Sequence, residues 1–191
     1  MIKIGILGEI GSGKTFIAKK FKFPVFSADE EVTKIYQKNK LCFLKLKKKF
    51  PEFIKNFPID KKELGQVILY KKNNLKKITE IIHPIVRKSM YKFLSLNKNK
   101  KAIVLDIPLL LENKLASKGT ILIYVDAKKE LILKRLLKRK FFDNKIFAKL
   151  RSLQFSKKYK KKKSDYIIKN NFKSYSINNQ VNIIRNKILK K

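Results

Sequence analysis

The chain has a single cysteine, Cys42, so it can form no internal disulfide and no cysteine-based zinc site. A lone thiol of this kind is expected as a small core residue. Tryptophan is absent. No apolar run approaches the roughly 18 residues that a membrane-spanning helix needs. The first strand is expected to open at Ile2, which leaves no room for a signal peptide, so a reducing, cytoplasmic setting is expected. Acidic residues are scarce: 14 Asp and Glu stand against 49 Lys and Arg, a net charge of +35. With 191 residues the chain is long enough for one domain with a real core and room for insertions.

A charge this high has two readings. One is nucleic-acid binding by phosphate neutralisation. The other is biased composition, since Lys, Asn, Ile and Phe are all abundant. A nucleic-acid surface would mix in Arg, which forks onto phosphate and stacks on bases. Here only Arg87, Arg135, Arg139, Arg151 and Arg185 occur, while lysines are spread over every segment. Bias is the favoured reading, and no specific nucleic-acid partner is expected. Where Lys is so preferred, a retained Arg points to a place that needs a guanidinium.

What the sequence does contain is Gly8-Glu9-Ile10-Gly11-Ser12-Gly13-Lys14-Thr15, a glycine, four residues, then Gly-Lys-Thr. This is the phosphate-binding loop pattern. A β-branched apolar run, Ile2–Leu7, precedes it and reads as a buried strand; Phe16–Phe21 follows and reads as an amphipathic helix. The glycines let consecutive N–H groups turn inward as an anion nest, and the helix N-terminus adds positive potential. Lys14 is placed to reach the β- and γ-phosphates, the Thr15 hydroxyl to ligate Mg²⁺, and the N–H groups up to Phe16 to face phosphate. A nucleoside triphosphate is the expected ligand.

Further along, Phe23–Ser27 reads as a second strand ending at Ala28-Asp29. In open parallel sheets ligands bind beyond the carboxyl ends of strands. Asp29 is therefore either the base for an acceptor hydroxyl or the N-cap of a helix from Glu30. Residues 30–98 show no strand. They read as helices over 31–38, 41–50, 61–70 and 75–96, with Asp60 and Glu63 forming a capping box. The only histidine, His83, precedes Pro84, which is expected to kink or restart its helix. His83 is structural or part of an acceptor pocket, and Arg87 lies one turn on.

Lys101–Asp106 is a third strand with a carboxylate at its end, a pattern that holds Mg²⁺ directly or through water. Ile107-Pro108-Leu109-Leu110-Leu111-Glu112 reads as the start of a helix, with Glu112 a site group or simply exposed. Thr120–Asp126 is a fourth strand. The helix expected over 128–140 carries Arg135 and Arg139 on one face, to close over a triphosphate or to form a solvated basic face. A second helix over 144–154 would complete a mobile lid. Lys157–Lys163 reads as a solvated lysine run, Asp165–Ile168 as a fifth strand ending at Asn170-Asn171, and 177–189 as a closing helix. The expected fold is an α/β doubly wound five-stranded parallel sheet of the P-loop kinase type, one domain over 1–191. It carries a helical acceptor-binding insertion over 30–98 and a helical lid over 139–160.

These motifs together resemble the dephospho-coenzyme A kinase family over nearly the whole chain. The pieces that carry the resemblance are Ile10–Lys14, Ser27-Ala28-Asp29, His83-Pro84, Asp106 to Glu112, Arg139 with Gln154, and Ser164 to Asn170. The resemblance implies transfer of the ATP γ-phosphate to the ribose 3′-hydroxyl of dephospho-coenzyme A, with Mg²⁺. It implies Asp29 as the base. Lys14, Thr15 and Arg139 would stabilise the transition state. His83, Arg87 and Asp106 would lie in or near the acceptor pocket, and Asn170 and Asn171 near adenine. A monomer is expected. Glu9 stands where the family usually has Gly, Ser27 where it has Asp, Lys61 where Arg is common, and Leu150 at a lid position often filled by Arg. Two rivals remain at this stage: another small nucleoside or nucleotide kinase, and a basic nucleic-acid-binding protein.

Overall fold

A computed structural model describes residues 1–138 and 143–190. Five parallel strands form one sheet: β1 (Ile2–Gly8), β2 (Val25–Ser27), β3 (Ala102–Asp106), β4 (Ile121–Ala127) and β5 (Tyr166–Asn170), in the order β2-β3-β1-β4-β5. β1 and β3 are buried nearly throughout, as parallel strands covered on both faces must be. Register places Ser27 opposite Asp106, Gly8 opposite Val125 and Ala127 opposite Asn170. The carboxyl ends of neighbouring strands therefore finish along one edge, with the loop glycines, Asp106 and Asn170 on it.

The described chain falls into two compact units. The first combines Met1–Ser27 with Leu96–Lys191 and holds the whole sheet. Its core joins Ile4, Ile6, Val104, Ile123, Val125 and Ile168 of the strands to α1 (Lys14–Lys20) and α9 (Ser174–Leu189). α1 contributes Ile17 and Ala18; α9 contributes Ile177, Val181, Ile184 and Ile188, spaced to keep one stripe inward. The second unit, Ala28–Ser95, is helical: α2 (Ala28–Lys38), α3 (Lys40–Lys49), α4 (Lys61–Tyr70) and most of α5 (Asn74–Leu96). Its own core includes Ile35, Cys42, Leu46, Ile54, Leu64, Val67, Ile78 and Ile82. Cys42 is fully buried, as a lone thiol should be.

Local chemistry fixes several boundaries differently from the sequence reading. α2 begins at Ala28, so Asp29 lies inside its first turn with Glu30 and Glu31, where the helix dipole favours carboxylates, and does not cap a helix from Glu30. α5 runs without a break through Pro84 and does not restart there. At α4, Asp60 does cap, accepting from the Lys62 N–H at 2.9 Å, but Glu63 Oε2 is buried without a hydrogen-bond partner and closes no box. Residues 107–114 form successive turns in place of a helix: Leu110 N–H donates to Ile107 O, and Lys114, at φ 53°, enters the left-handed region and ends them. Leu110 is thereby buried over Gly5, where any Cβ would lie 2.5 Å from its Cδ2.

α6 (Lys129–Leu137), α7 (Asn144–Ser152) and α8 (Lys157–Lys163) complete the chain between β4 and β5. Arg139, the arginine expected over the triphosphate, lies outside the described residues. The lysine run 157–163 is not solvated throughout. It is the helix α8, N-capped by Ser156, and Lys160 within it is only 2% exposed. No described helix is long and apolar enough to cross a membrane.

Candidate active site

Loop 8–13 turns between β1 and α1 under tight steric control. Gly13, the N-cap of α1, sits at φ 92°, and a Cβ there would lie 2.5 Å from Asn170 Nδ2. Gly11, at φ 85°, leaves 3.0 to 3.2 Å for a Cβ against Ile132 and Leu136. Only glycine serves at both positions. No side chain caps α1, which starts at Lys14, two residues earlier than the sequence pattern suggested. The first-turn N–H groups, Thr15 and Phe16 among them, have no partner within the helix, as at any helix start. The nest is pinned from inside by Ser12 N–H donating to Glu9 O at 3.1 Å. Ser12 Oγ is buried without a hydrogen-bond partner.

Lys14 Nζ folds back onto the carbonyls of Glu9 (2.9 Å) and Gly8 (3.3 Å). Thr15 Oγ1 donates to Asp106 Oδ2 at 2.5 Å, joining the phosphate loop to the end of β3. A hydroxyl and a carboxylate side by side suit a hard cation that takes its other ligands from phosphate and water. No cluster of three acidic, histidine or cysteine ligands exists among the described residues, so such an ion would depend on the nucleotide for the rest of its shell. Uncapped N–H groups, a flexible ammonium and the Thr15–Asp106 pair together fit a Mg²⁺–triphosphate.

The β5 edge braces the loop. Asn170 is 3% exposed; its Nδ2 donates to Ser12 O at 2.7 Å and its Oδ1 accepts from Phe172 N–H at 2.8 Å. Its side chain is thus spent on holding the loop. Asn171 Oδ1 accepts from Lys173 N–H. Phe172, at φ 61°, is held in the left-handed region, and the Arg135 guanidinium lies 4.6 Å from its ring centroid. Arg135 and Phe172 thus present a flat cationic surface beside the loop.

Three contacts fasten the segment after α7 to the 107–112 turns. Gln154 Nε2 donates to Pro108 O (3.3 Å), Phe155 N–H to Glu112 Oε1 (2.8 Å), and Lys160 Nζ pairs with Glu112 Oε1 (3.4 Å). Glu112, 9% exposed, is neither a free site group nor a surface residue. Burial pushes the Lys160 ammonium below its ordinary range, and the charges of Glu112 and Glu9 oppose that shift. On the next strand, burial alone would raise Asp126, but hydrogen bonds and charges from Lys157 and Lys161 outweigh it and hold the carboxyl low. The sequence reading missed all of these lysine pairings, because a run of like residues hides which one turns inward. A period of three to four would have shown Lys157, Lys160 and Lys161 on one face.

In the helical unit, His83, Pro84, Arg87, Lys88 and Tyr91 line an open groove along α5. Burial first, and the Arg87 charge second, lower the His83 pKa, which keeps the imidazole neutral near pH 7. Asp29 is exposed on α2, two residues along the chain from Ser27, the register partner of Asp106.

The family model for dephospho-CoA kinase matches residues 2–175. The chain belongs to the dephospho-CoA kinase family. Curated family members include one from Bartonella henselae, 32% identical over 170 residues, covering 86% of this chain and 87% of that one. Another, from Bacillus cereus, is 30% identical over 194 residues, with 97% and 96% covered. Among solved structures, the dephospho-CoA kinase from Campylobacter jejuni superposes with a TM-score of 0.65 at 27% identity, covering both chains fully. Family membership makes this an ATP-dependent kinase of the P-loop type, which removes the nucleic-acid rival as a primary reading.

Proposed function

We propose that this family member transfers the γ-phosphoryl group of ATP to the ribose 3′-hydroxyl of dephospho-coenzyme A. The observation that carries the reading is the Thr15–Asp106 bond, which ties the phosphate loop to the carboxylate opening the Asp-x-Pro-Leu-Leu-x-Glu segment. ATP would lie with its phosphates in the nest of Gly8, Gly11, Ser12, Gly13, Lys14, Thr15 and Phe16. Its base would lie against Arg135 and Phe172, with Asn171 at the rim and Asn170 bracing the loop from below. Lys14 would leave the carbonyls it now holds and bind the β- and γ-phosphates. Thr15 and Asp106 would hold Mg²⁺, which when bound neutralises charge on the transferring group.

Asp29 would accept the proton of the 3′-hydroxyl as its oxygen bonds to the γ-phosphorus and ADP departs. A carboxylate in a helix first turn, two residues past the end of β2, suits that task. His83 and Arg87 would bind the acceptor, the arginine as a fork onto phosphate and the neutral imidazole as a hydrogen-bond partner. Arg139 would stabilise the transferring phosphoryl, and 139–160 would act as the lid over it.

Phosphorus NMR of the product tests the acceptor. A new phosphomonoester on the ribose 3′-oxygen is expected. A phosphoanhydride, or phosphate found only on AMP or adenosine added as competitors, would assign the chain to another acceptor.

A further inference from the structure

Glu9 places a carboxylate inside a loop built to hold an anion. Its backbone is part of the nest: Glu9 O accepts from both Lys14 Nζ and Ser12 N–H. Its side chain, 26% exposed, faces Arg151 of α7, with Nη2 3.4 Å from Oε1. Beneath that pair, Ile10, Ile132, Leu136 and Phe147 pack together. The loop and α7 thus meet through an apolar seat with one ion pair at its rim.

That pair is poised to be given up. Charge-assisted bonds run at about 2.7 to 2.9 Å, and this contact is longer and single where a guanidinium can fork. Arg151 is 52% exposed, so the pair belongs to the weak class of surface ion pairs, worth about 1 kcal/mol at most. A triphosphate in the loop offers the same guanidinium several oxygens and a greater charge. Glu9 would not be stranded by the loss, because the buried Lys160 ammonium also lies within its field.

We propose that Glu9 and Arg151 form an exchangeable pair: Glu9 holds Arg151 in the nucleotide-free protein, and a bound triphosphate takes Arg151 onto its phosphate oxygens. Arg151 is then a nucleotide-binding residue, and Glu9 lowers nucleotide affinity by competing for it and by repelling the ligand. This rests on the reading of residues 8–15 as a nucleotide loop.

The test is calorimetric titration of the full chain with Mg²⁺–ATP, comparing wild type with Glu9→Gln, Arg151→Met, Arg151→Lys and, as a loop control, Lys14→Met. Glu9→Gln should tighten ATP binding about threefold to tenfold, and Arg151→Met should weaken it about tenfold, with Arg151→Lys between. Opposite signs matter, because both changes break the same ion pair. A contact that merely fastens α7 would move both affinities the same way. Same-sign shifts, or no shift in either variant, would overturn the proposal while leaving the nucleotide site intact. Wild type that binds ATP no better than Lys14→Met would overturn the loop reading and this inference together. Arg151→Lys keeps the helix composition nearly unchanged, so misfolding of the methionine variant would not protect the proposal.

Discussion

Replacing Glu112 by Gln isolates the buried ion pair that the lysine run conceals. Lys160 is 2% exposed and Glu112 9%, so the change removes the counter-charge from an ammonium that cannot reach water. Breaking a buried pair from one side costs about 3–5 kcal/mol, because the remaining charge stays desolvated. Gln keeps an oxygen for Phe155 N–H and a dipole for Lys160, which puts the expected cost at the low end, about 3 kcal/mol. For a chain of this size that is a fall of about 6–12 °C in Tm. Lys160→Met should cost less, since Glu112 retains the Phe155 N–H bond and is somewhat more exposed. The Glu112→Gln, Lys160→Met double variant should recover part of the loss, because no unpaired charge remains. The pH dependence has a definite sign. The Lys160 pKa is lower in the folded protein than in the unfolded chain, and without Glu112 it falls further. The deficit of Glu112→Gln is therefore full below the folded pKa and narrows as pH rises through it. Thermal unfolding from pH 7 to 10 measures this. A cost under about 0.5 kcal/mol, flat with pH, would mean that Lys160 is solvated and that the pair holds nothing.

Two further outcomes follow from the geometry. Gly13→Ala, at φ 92° and with its Cβ 2.5 Å from Asn170 Nδ2, should cost about 1–2 kcal/mol or more of backbone strain. It should also abolish ATP binding, as titration would show; ATP affinity near wild type would contradict the steric account of the loop. His83 has a folded pKa below its unfolded value near 6.5, so its neutral form contributes stability above that pH and the contribution is lost as pH falls through the folded value. Wild type should lose more Tm between pH 7 and 5 than His83→Gln does, and equal losses would mean the imidazole is not desolvated.

Much of the sheet was legible because buried parallel strands are short apolar runs that end in turn residues, and β1, β3 and β4 all fit that description. The phosphate loop was legible because only glycine serves at positions such as 11 and 13. Contacts between distant segments left no local trace. Nothing near Asn170 announces a bond to Ser12 O, and nothing in the lysine run marks Lys160 as the residue that turns to Glu112. The 107–114 turns were misread as a helix because Leu110 is claimed by the space over Gly5, a tertiary demand that outweighs leucine's helix preference. Glu9 and Arg151 are far apart in sequence, and only the fold shows that they meet.

ADP release measured with ATP, Mg²⁺ and dephospho-coenzyme A, beside AMP and adenosine, tests the role of Asp29 and the identity of the acceptor together. Turnover with dephospho-coenzyme A alone, falling about a hundredfold or more in Asp29→Asn, is the predicted result, since a positioned base contributes typically about 10²–10⁴-fold. Turnover on AMP or adenosine instead, or an Asp29→Asn variant as fast as wild type, would contradict it.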